Sequence, residues 1–255
     1  MFSNFKFRKV LWGLLGVLLV GTIGFALSQQ ASRHCKNIRI EIDKGSAEDF
    51  LITTEDVDKL ITDNGQDQLI NRPFSEIDFQ HLESRVKSNK VVDNCQIYRD
   101  LRGDLVVAIT QHRPIARVTF EGGVSSVHDL YVNEKGEFFP MSDRHTARVL
   151  LLSGHYFERL MGLTRTQDKS LVELLNWIDQ DPFWKAQITQ LEIDKEGEIN
   201  MMPQVGEHTV EFGDASDPEA KFSKLKLFYT KILPAKGWNH YHRVSVKFRN
   251  QIVCE

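Results

Sequence analysis

Cysteine is scarce in this chain of 255 residues, which contains only Cys35, Cys95 and Cys254. Three scattered cysteines are too few for a disulfide scaffold and lack the spacing of a zinc ribbon, so both classes are excluded. Cys35 and Cys95 could form a disulfide in an oxidising compartment. Because no spacing rule links them, the sequence favours the alternative of three buried or partly buried thiols.

A large net charge is also missing. The 32 basic residues nearly balance the 35 acidic residues, which leaves a formal charge of -3 at pH 7. This balance argues against a general nucleic-acid binder, since such proteins carry a basic footprint. With 41% hydrophobic and 26% charged residues, the composition is globular and excludes collagen, a long coiled coil and a largely disordered chain.

Recognisable catalytic and metal-binding motifs are lacking too. Ser-x-x-Lys occurs at Ser3, Ser84 and Ser223, but no Ser-Asp-Asn or Lys-Thr-Gly accompanies it, as a wall-active serine enzyme would require. The pair His240 and His242 stands apart from carboxylate or cysteine ligands, and no His-Glu-x-x-His or Gly-Lys-Ser/Thr is found. The sequence therefore predicts no catalytic residues, no metal site and no cofactor.

Two close pairs of acidic residues are the remaining candidates for catalysis, Asp179 with Asp181 and Glu192 with Asp194. Glycoside hydrolysis needs two carboxyl groups about 5 to 9.5 Å apart, a distance that sequence does not supply. Both pairs lie beside predicted helix ends and hairpin turns, where acidic side chains are usually solvated. We therefore expect solvated acids rather than a catalytic pair.

One long hydrophobic run interrupts this average composition. Residues 10–27 contain no charge, and 18 residues at about 1.5 Å each just suffice to cross a bilayer as a helix. Lys6, Arg8 and Lys9 lie directly before the run, so the positive-inside rule places residues 1–9 in the cytoplasm and exports the remainder.

A cleaved signal peptide is the alternative reading of this segment. Residues 26–28 read Ala-Leu-Ser, which resembles a small-x-small cleavage site. The apolar run is longer than the usual signal-peptide core of about 7 to 15 residues. The sequence therefore favours an uncleaved membrane anchor.

The first exported unit is predicted to run strand, helix, helix, strand, strand. The signals are alternation in Ile38–Ile42, a helix capped by Thr53 or Thr54, a second helix after Asp78, and extended runs over Cys95–Leu101 and Leu105–Thr110 joined by a Gly-containing turn. About 75 residues of this kind make a small domain that can fold alone.

The segment after Pro114 has a different character. Turn residues at Asn133–Glu137 and Asp194–Glu198 separate short extended runs, which predicts two hairpins and an antiparallel sheet. An apolar stripe predicts one helix, which should end before Asp181. A capping box at Ser216–Glu219 predicts the start of a second helix, which should end at Pro234.

The chain is predicted to finish on a strand, Tyr241–Phe248. Its apolar residues Val244, Val246 and Phe248 alternate with polar ones, and Lys247 gives the other face a basic character.

This order of elements resembles the bacterial cell-division family FtsQ/DivIB. The resemblance is carried by Val106–Ala116, by Tyr131–Pro140 and by the short motif Leu152–Gly154. It implies an α+β fold, in which a single N-terminal transmembrane helix precedes a POTRA domain (β-α-α-β-β) and a mainly antiparallel β domain with flanking helices. The implied division is a cytoplasmic tail at 1–9, a transmembrane helix at 10–27, a POTRA domain at 36–113 and a β domain at 114–255.

The resemblance also implies a function. Members of the family are non-enzymatic, single-pass scaffolds of the divisome in the cell inner (plasma) membrane at the division septum. The resemblance implies the same for this chain, with most of its residues in the periplasm. Such a scaffold binds FtsB-like and FtsL-like proteins and helps to control septal peptidoglycan synthesis. The alternatives are an exported, membrane-anchored cell-wall enzyme and a POTRA-containing envelope assembly factor, although the latter normally adds a β-barrel with strands of about 9 to 11 residues.

The family's partner contact, carried onto this sequence, falls on the final strand. There the partner would add a strand to an open sheet edge, with backbone groups supplying affinity and alternate side chains supplying selection. The candidate partner-binding residues are Tyr241, Val246, Lys247, Phe248, Arg249 and Asn250, and the basic ones would meet an acidic partner segment. For Val244 and Val246, packing inside the sheet is the alternative that we favour.

Overall fold

The structure is a computed structural model that describes residues 12, 15–22, 34–43, 50–120, 129–142, 145–160 and 162–255. Contacts divide the chain into two compact units at the boundary between Thr110 and Gln111, and Phe50 and Leu51 group with the second unit. We describe the two units separately.

Residues 15–22 near the amino terminus are helical. Their large apolar side chains are all more than half exposed, as is that of Trp12. Within the described part of the chain, we find no helix with the length and apolar character needed to cross a membrane. The expected anchor at 10–27 extends outside the described residues on both sides, so it stays a prediction.

The smaller unit has the expected order of elements. They are β1 (Ile38–Asp43), α1 (Thr54–Ile61), α2 (Phe79–Lys87), β2 (Val92–Arg99) and β3 (Leu105–Gln111), with a short 3-10 turn at Phe74–Glu76 before α2. The sheet order is β1-β3-β2, and β1 runs parallel to β3. The predicted strand-helix-helix-strand-strand unit is therefore confirmed.

The predicted cap at Thr53 and the predicted helix after Asp78 are both confirmed, and Thr54 is the first residue of α1 rather than its cap. The Thr53 hydroxyl accepts a hydrogen bond from the Asp56 N–H at 3.3 Å, and the Asp56 carboxylate accepts one from the Thr53 N–H at 3.1 Å. The Asp78 carboxylate accepts one from the His81 N–H at 3.0 Å. These bonds satisfy N–H groups that have no partner inside a helix, and so they set where each helix begins.

Leu101 departs from the expected pattern, because it lies in a turn and is 96% exposed. The Asp100 carboxylate accepts hydrogen bonds from the N–H groups of Arg102 (2.9 Å) and Asp104 (2.8 Å), and Gly103 has a φ of +91°. This side-chain bonding closes the turn early and ends β2 at Arg99.

All three cysteines are free thiols. Cys35 and Cys95 are buried and Cys254 is partly buried, as the favoured alternative predicted. Burial raises the pKa of the Cys95 thiol to about 11, and the nearby Glu83 charge adds to this effect.

The larger unit is built on one nine-stranded sheet. Its strands are β4 (Pro114–Val118), β5 (Leu130–Asn133), β6 (Phe138–Pro140), β7 (Leu150–Ser153), β8 (Ile188–Ile193), β9 (Ile199–Pro203), β10 (Thr209–Gly213), β11 (Arg243–Ser245) and β12 (Val253–Cys254), in the spatial order β12-β11-β10-β9-β8-β7-β4-β5-β6. Its helices are α3 (Lys169–Gln180), α4 (Pro182–Gln187), α5 (Pro218–Leu227) and α6 (Leu233–Lys236). A 3-10 turn lies at Phe157–Leu160 and a π turn at Phe228–Ile232.

The expectation of a mainly antiparallel sheet is met in five of the eight strand pairs, including both predicted hairpins. The pairs β4–β7, β7–β8 and β10–β11 are parallel. Parallel neighbours need a crossover connection, and the helices supply it between β7 and β8 and between β10 and β11. One hydrophobic core lies between the sheet and these helices.

The helix with the leucine stripe is confirmed as α3. Its inward side chains are all buried, namely Leu171, Leu174, Leu175 and Ile178. The sequence did not predict helix α4, because Asp181-Pro182 indicated only the end of α3. Asp181 also caps α4 by accepting hydrogen bonds from the Phe183 and Trp184 N–H groups, and Pro182 occupies the first turn, where its missing N–H costs nothing.

Two predictions for the next helix are wrong. Ser216 does not cap it, because its hydroxyl donates to the Asp214 carboxylate at 2.6 Å and the helix begins after Asp217 without a side-chain cap. Pro234 does not end it, because the Leu233 N–H donates to the Phe228 carbonyl five residues back, and the chain stays helical to Lys236. The wider π turn relieves the clash that a proline ring makes inside a regular helix.

Candidate partner-binding site

The end of the chain forms one edge of the large sheet. Strand β11 lies parallel to β10 on one side and antiparallel to β12 on the other. The predicted strand Tyr241–Phe248 is therefore corrected in two ways: it is limited to Arg243–Ser245, and it is not the outermost strand. The reason is that Val253–Cys254 folds back beside it.

The open edge consequently belongs to β12. Arg243 and Glu255 exchange two backbone hydrogen bonds, with N···O distances of 2.9 and 3.1 Å. In an antiparallel pair the backbone groups point alternately toward and away from the neighbour. The backbone N–H and C=O groups of Val253 and Glu255 face β11. Those of Cys254, between them, therefore face the open edge.

The six predicted partner-binding residues divide into two groups. Val246 has 0% exposure and its N–H donates to the Glu211 carbonyl at 3.0 Å, so it packs the core like Val244, and its assignment to the binding residues is corrected. Tyr241 is partly buried, with its ring centroid 6.1 Å from that of Phe228. The remaining four are exposed, namely Lys247, Phe248, Arg249 and Asn250.

Phe248 is the apolar centre of the exposed group, with 45% of its surface accessible. The Lys247 ammonium lies 5.5 Å from the centre of the Phe248 ring. Asn250 has a φ of +59° and turns the chain back toward β12. The structure thus places Phe248 between two basic side chains, Lys247 and Arg249, in the loop from β11 to β12.

Charges alternate on the sheet surface beside this loop. Glu211 lies 3.2 Å from an Arg243 guanidinium nitrogen and 3.6 Å from the Lys247 ammonium, and Arg243 also contacts Glu255 at 2.7 Å. Together with Phe248 they line a shallow cavity of about 280 Å³. The side-chain charges of Arg243 and Lys247 thus offset those of Glu211 and Glu255, and the exposed Arg249 follows in the loop.

Lys224 on α5 contacts the segment that carries Phe248, which the sequence did not predict. Its ammonium donates hydrogen bonds to the Val246 carbonyl and, at 2.6 Å, to the Phe248 carbonyl. Burial lowers the pKa of Lys224, and the Lys221 charge one turn earlier lowers it further. No local signal marks Lys224, because its partners are 22 and 24 residues away.

Three acids of the two candidate pairs bind neighbouring groups of the fold. The Asp179 side chain is only 8% exposed and is held by Arg113 at 2.7 Å and Lys185 at 3.0 Å, which corrects the expectation that it is solvated. Asp181 caps α4, and Asp194 caps its own hairpin turn by accepting from two backbone N–H groups. Ser84 donates to the Gln80 carbonyl at 2.8 Å within α2, as a helical serine commonly does.

The two units also match known families. The POTRA-like domain model matches residues 33–110, and the model described as FtsQ/DivIB, C-terminal related, matches residues 113–255. The chain belongs to the FtsQ/DivIB family. No curated protein matches it. As an FtsQ/DivIB member with a POTRA-like unit, it is a division-associated protein.

Proposed function

We propose that this FtsQ/DivIB member is a non-enzymatic, single-pass membrane scaffold of the divisome, and that it binds FtsB-like and FtsL-like proteins through its C-terminal β domain. The observation that carries the proposal is the open edge of β12 beside the exposed Phe248. Through these partners the scaffold helps to control septal peptidoglycan synthesis.

Strand addition at β12 accounts for both affinity and selection. The outward N–H and C=O of Cys254 can form hydrogen bonds with a partner strand. Such pairing stabilises β12, which has only two residues. Phe248 offers an apolar contact within the same loop, and Lys247 and Arg249 favour acidic partner side chains. A partner segment with extended, apolar and acidic residues fits this surface best.

Anchoring in the cell inner membrane is the second part of the proposal. The helical residues 15–22 expose their large apolar side chains, which is unfavourable in water and favourable in a bilayer. Lys6, Arg8 and Lys9 orient residues 1–9 toward the cytoplasm, so the two folded units lie in the periplasm. An uncleaved helix keeps the scaffold at the septal membrane.

We also propose that residues 36–113 and 114–255 act as separate domains. This division is supported by the contact boundary after Thr110 and by family matches that end at residue 110 and resume at 113.

An exported wall enzyme is the less favoured function. Asp179, whose side chain is 8% exposed, forms ion pairs with Arg113 and Lys185, which favours a structural role for this acid.

The experiment that tests the partner site replaces Phe248 with glutamate. We expect Phe248→Glu to weaken binding of the FtsB-like partner's extracytoplasmic segment roughly 30-fold, or about 2 kcal/mol, because it removes an apolar contact and repels acidic residues. Binding is measured by calorimetry on the full-length chain in detergent. Trp238→Glu is the matched control, since Trp238 is 44% exposed, close to the 45% of Phe248, and lies outside the β11–β12 loop.

Unchanged binding by Phe248→Glu would contradict the proposed partner site. The scaffold function has a separate test in the cell, where a fluorescent fusion should concentrate at midcell during constriction. A fusion that stays uniform around the envelope throughout division would argue against a divisome role.

A further inference from the structure

The chain leaves the sheet abruptly after Ser245. In the parallel pairing of β10 and β11, Ser245 lies opposite Glu211, and the Val246 N–H donates to the Glu211 carbonyl. A continued parallel ladder would next join the Val246 carbonyl to the Gly213 N–H. The ladder stops there, although Val246 itself is fully buried.

Gly213 explains why the ladder cannot continue. It has a φ of +80° and lies at a register shift in the pairing of β10 with β9. A Cβ atom at Gly213 would lie 2.8 Å from the Lys247 Cβ, so the departing chain passes directly over this glycine. The backbone therefore turns away from β10 at the point where the Val246 carbonyl needs a donor.

Lys224 supplies that donor from helix α5. Its ammonium donates to the Val246 and Phe248 carbonyls, which belong to alternate residues of the departing segment. Lys221, one turn earlier on α5, binds Asp214 instead, with its ammonium 2.6 Å from the Asp214 carboxylate and 2.8 Å from the Asp214 carbonyl. The Lys224 ammonium thus donates to two neutral carbonyls, and such charge-assisted hydrogen bonds are stronger than neutral ones.

These contacts give Lys224 a defined role. We propose that Lys224 is a positioning residue of the partner-binding site: by holding the Val246 and Phe248 carbonyls beyond the end of β11, it fixes the segment that presents Phe248. The inference rests on the proposed function for its consequence in binding, but the contact itself can be tested without any partner. Holding this segment before the partner arrives lowers the ordering cost of association.

The partner-free test uses trypsin, because Lys247 and Arg249 are exposed and flank Phe248. Lys224→Met keeps the aliphatic stem and removes the donors, so we expect cleavage after Lys247 and Arg249 to become about tenfold faster, a change equivalent to about 1.4 kcal/mol in local opening. Lys224→Arg, which retains donors, should stay within about threefold of the wild type. Mass spectrometry of the full-length protein identifies the cleaved bonds.

Lys226→Met is the matched control for this experiment. Lys226 lies on the same helix, but its ammonium sits over the Phe183 ring at 3.3 Å. We expect this variant to leave cleavage after Lys247 and Arg249 at the wild-type rate. A wild-type cleavage rate in Lys224→Met, with the variant folded by circular dichroism, would overturn the inference.

The partner-dependent test is a double-mutant cycle on binding to the FtsB-like segment. Lys224→Met should weaken binding about tenfold, and the loss should be much smaller when Phe248 is already alanine, because Lys224 acts through that residue. Additive losses would overturn the positioning role, as would unchanged binding despite faster trypsin cleavage. Failure of the proposed function has a different signature, since then Phe248→Glu leaves binding unchanged while the trypsin result still holds.

Discussion

An Arg113 guanidinium nitrogen donates to the Asp179 carboxylate at 2.7 Å, joining the chain just before β4 to the last turn of α3. The same carboxylate receives the Lys185 ammonium from α4 at 3.0 Å. Arg113 is 19% exposed and Asp179 is 8% exposed, so the pair is largely removed from water. An acid that resembled a catalytic candidate in the sequence therefore ties three segments of the β domain together.

Breaking this ion pair should destabilise the β domain. We expect Arg113→Met to lower the free energy of unfolding by about 2 kcal/mol, because it leaves Asp179 with only the more exposed Lys185 as a partner. Urea denaturation measures the change. As a control, Lys195→Met removes a pair with Glu196 in which both side chains are more than 60% exposed, and it should cost less than about 0.5 kcal/mol. Equal effects of the two variants would contradict the role of burial.

Gly154 in the Leu152–Gly154 motif should not tolerate a side chain. It has a φ of +103°, and a Cβ there would lie 2.2 Å from the Ile193 carbonyl oxygen. We expect Gly154→Ala to lower the free energy of unfolding by about 3 kcal/mol, from strain and displaced backbone together. Gly197→Ala, at a φ of +93° with open space around it, should cost only about 1 kcal/mol. Thermal unfolding followed by circular dichroism distinguishes them, and a Gly154→Ala variant as stable as Gly197→Ala would refute the steric argument.

Asp214 should titrate well below an ordinary carboxyl group. The Lys221 hydrogen bond lowers the pKa of Asp214 to about 2, with a further contribution from Ser216. A pKa lowered in the folded state contributes stability above the unfolded value near 3.8 and loses it as the pH falls toward 2. Since the Asp214 side chain is 68% exposed, solvent keeps this contribution small.

NMR titration of the Asp214 carboxyl carbon is the direct measurement. In Lys221→Met the pKa of Asp214 should rise toward 3.8, because the main hydrogen-bond donor is lost. A value that stays near 2 in this variant would assign the effect to Ser216 instead.

Removing the Cys254 N–H should weaken strand addition at β12. We expect Cys254→Pro to reduce binding of the FtsB-like segment about tenfold, because proline cannot donate to an added strand. Cys254→Ser retains the N–H and should bind like the wild type. Calorimetry on both variants makes the comparison, and equal binding by the proline variant would locate the partner elsewhere.

The three thiols should differ in reactivity. Burial raises the pKa of all three cysteines, and Cys35 and Cys95 are fully buried whereas Cys254 is partly exposed. Iodoacetamide at pH 8 should therefore modify Cys254 first and reach the other two only when the chain is unfolded. Mass spectrometry of the alkylated peptides decides the order, and early modification of Cys95 would contradict its placement in the core.

Short-range features of the sequence were enough to predict much of this protein. The features predicted in this way are the cap at Thr53, the helix after Asp78, the hairpin turns after Val132 and Ile193, and the apolar stripe of α3. Each depends on neighbours within about four positions along the chain. Their order along the chain also carried the family resemblance, which the family matches confirm.

Tertiary structure alone decided where the open edge of the large sheet lies. Val253–Cys254 is too short to show a strand pattern, yet it covers β11 and moves the open edge to β12. Lys224 and Asp179 look like ordinary charged residues until folding brings them to partners 22 to 66 positions away. Such contacts are set by the packing of a helix against a sheet, so the sequence by itself predicted many of the elements but not which side chains meet between them.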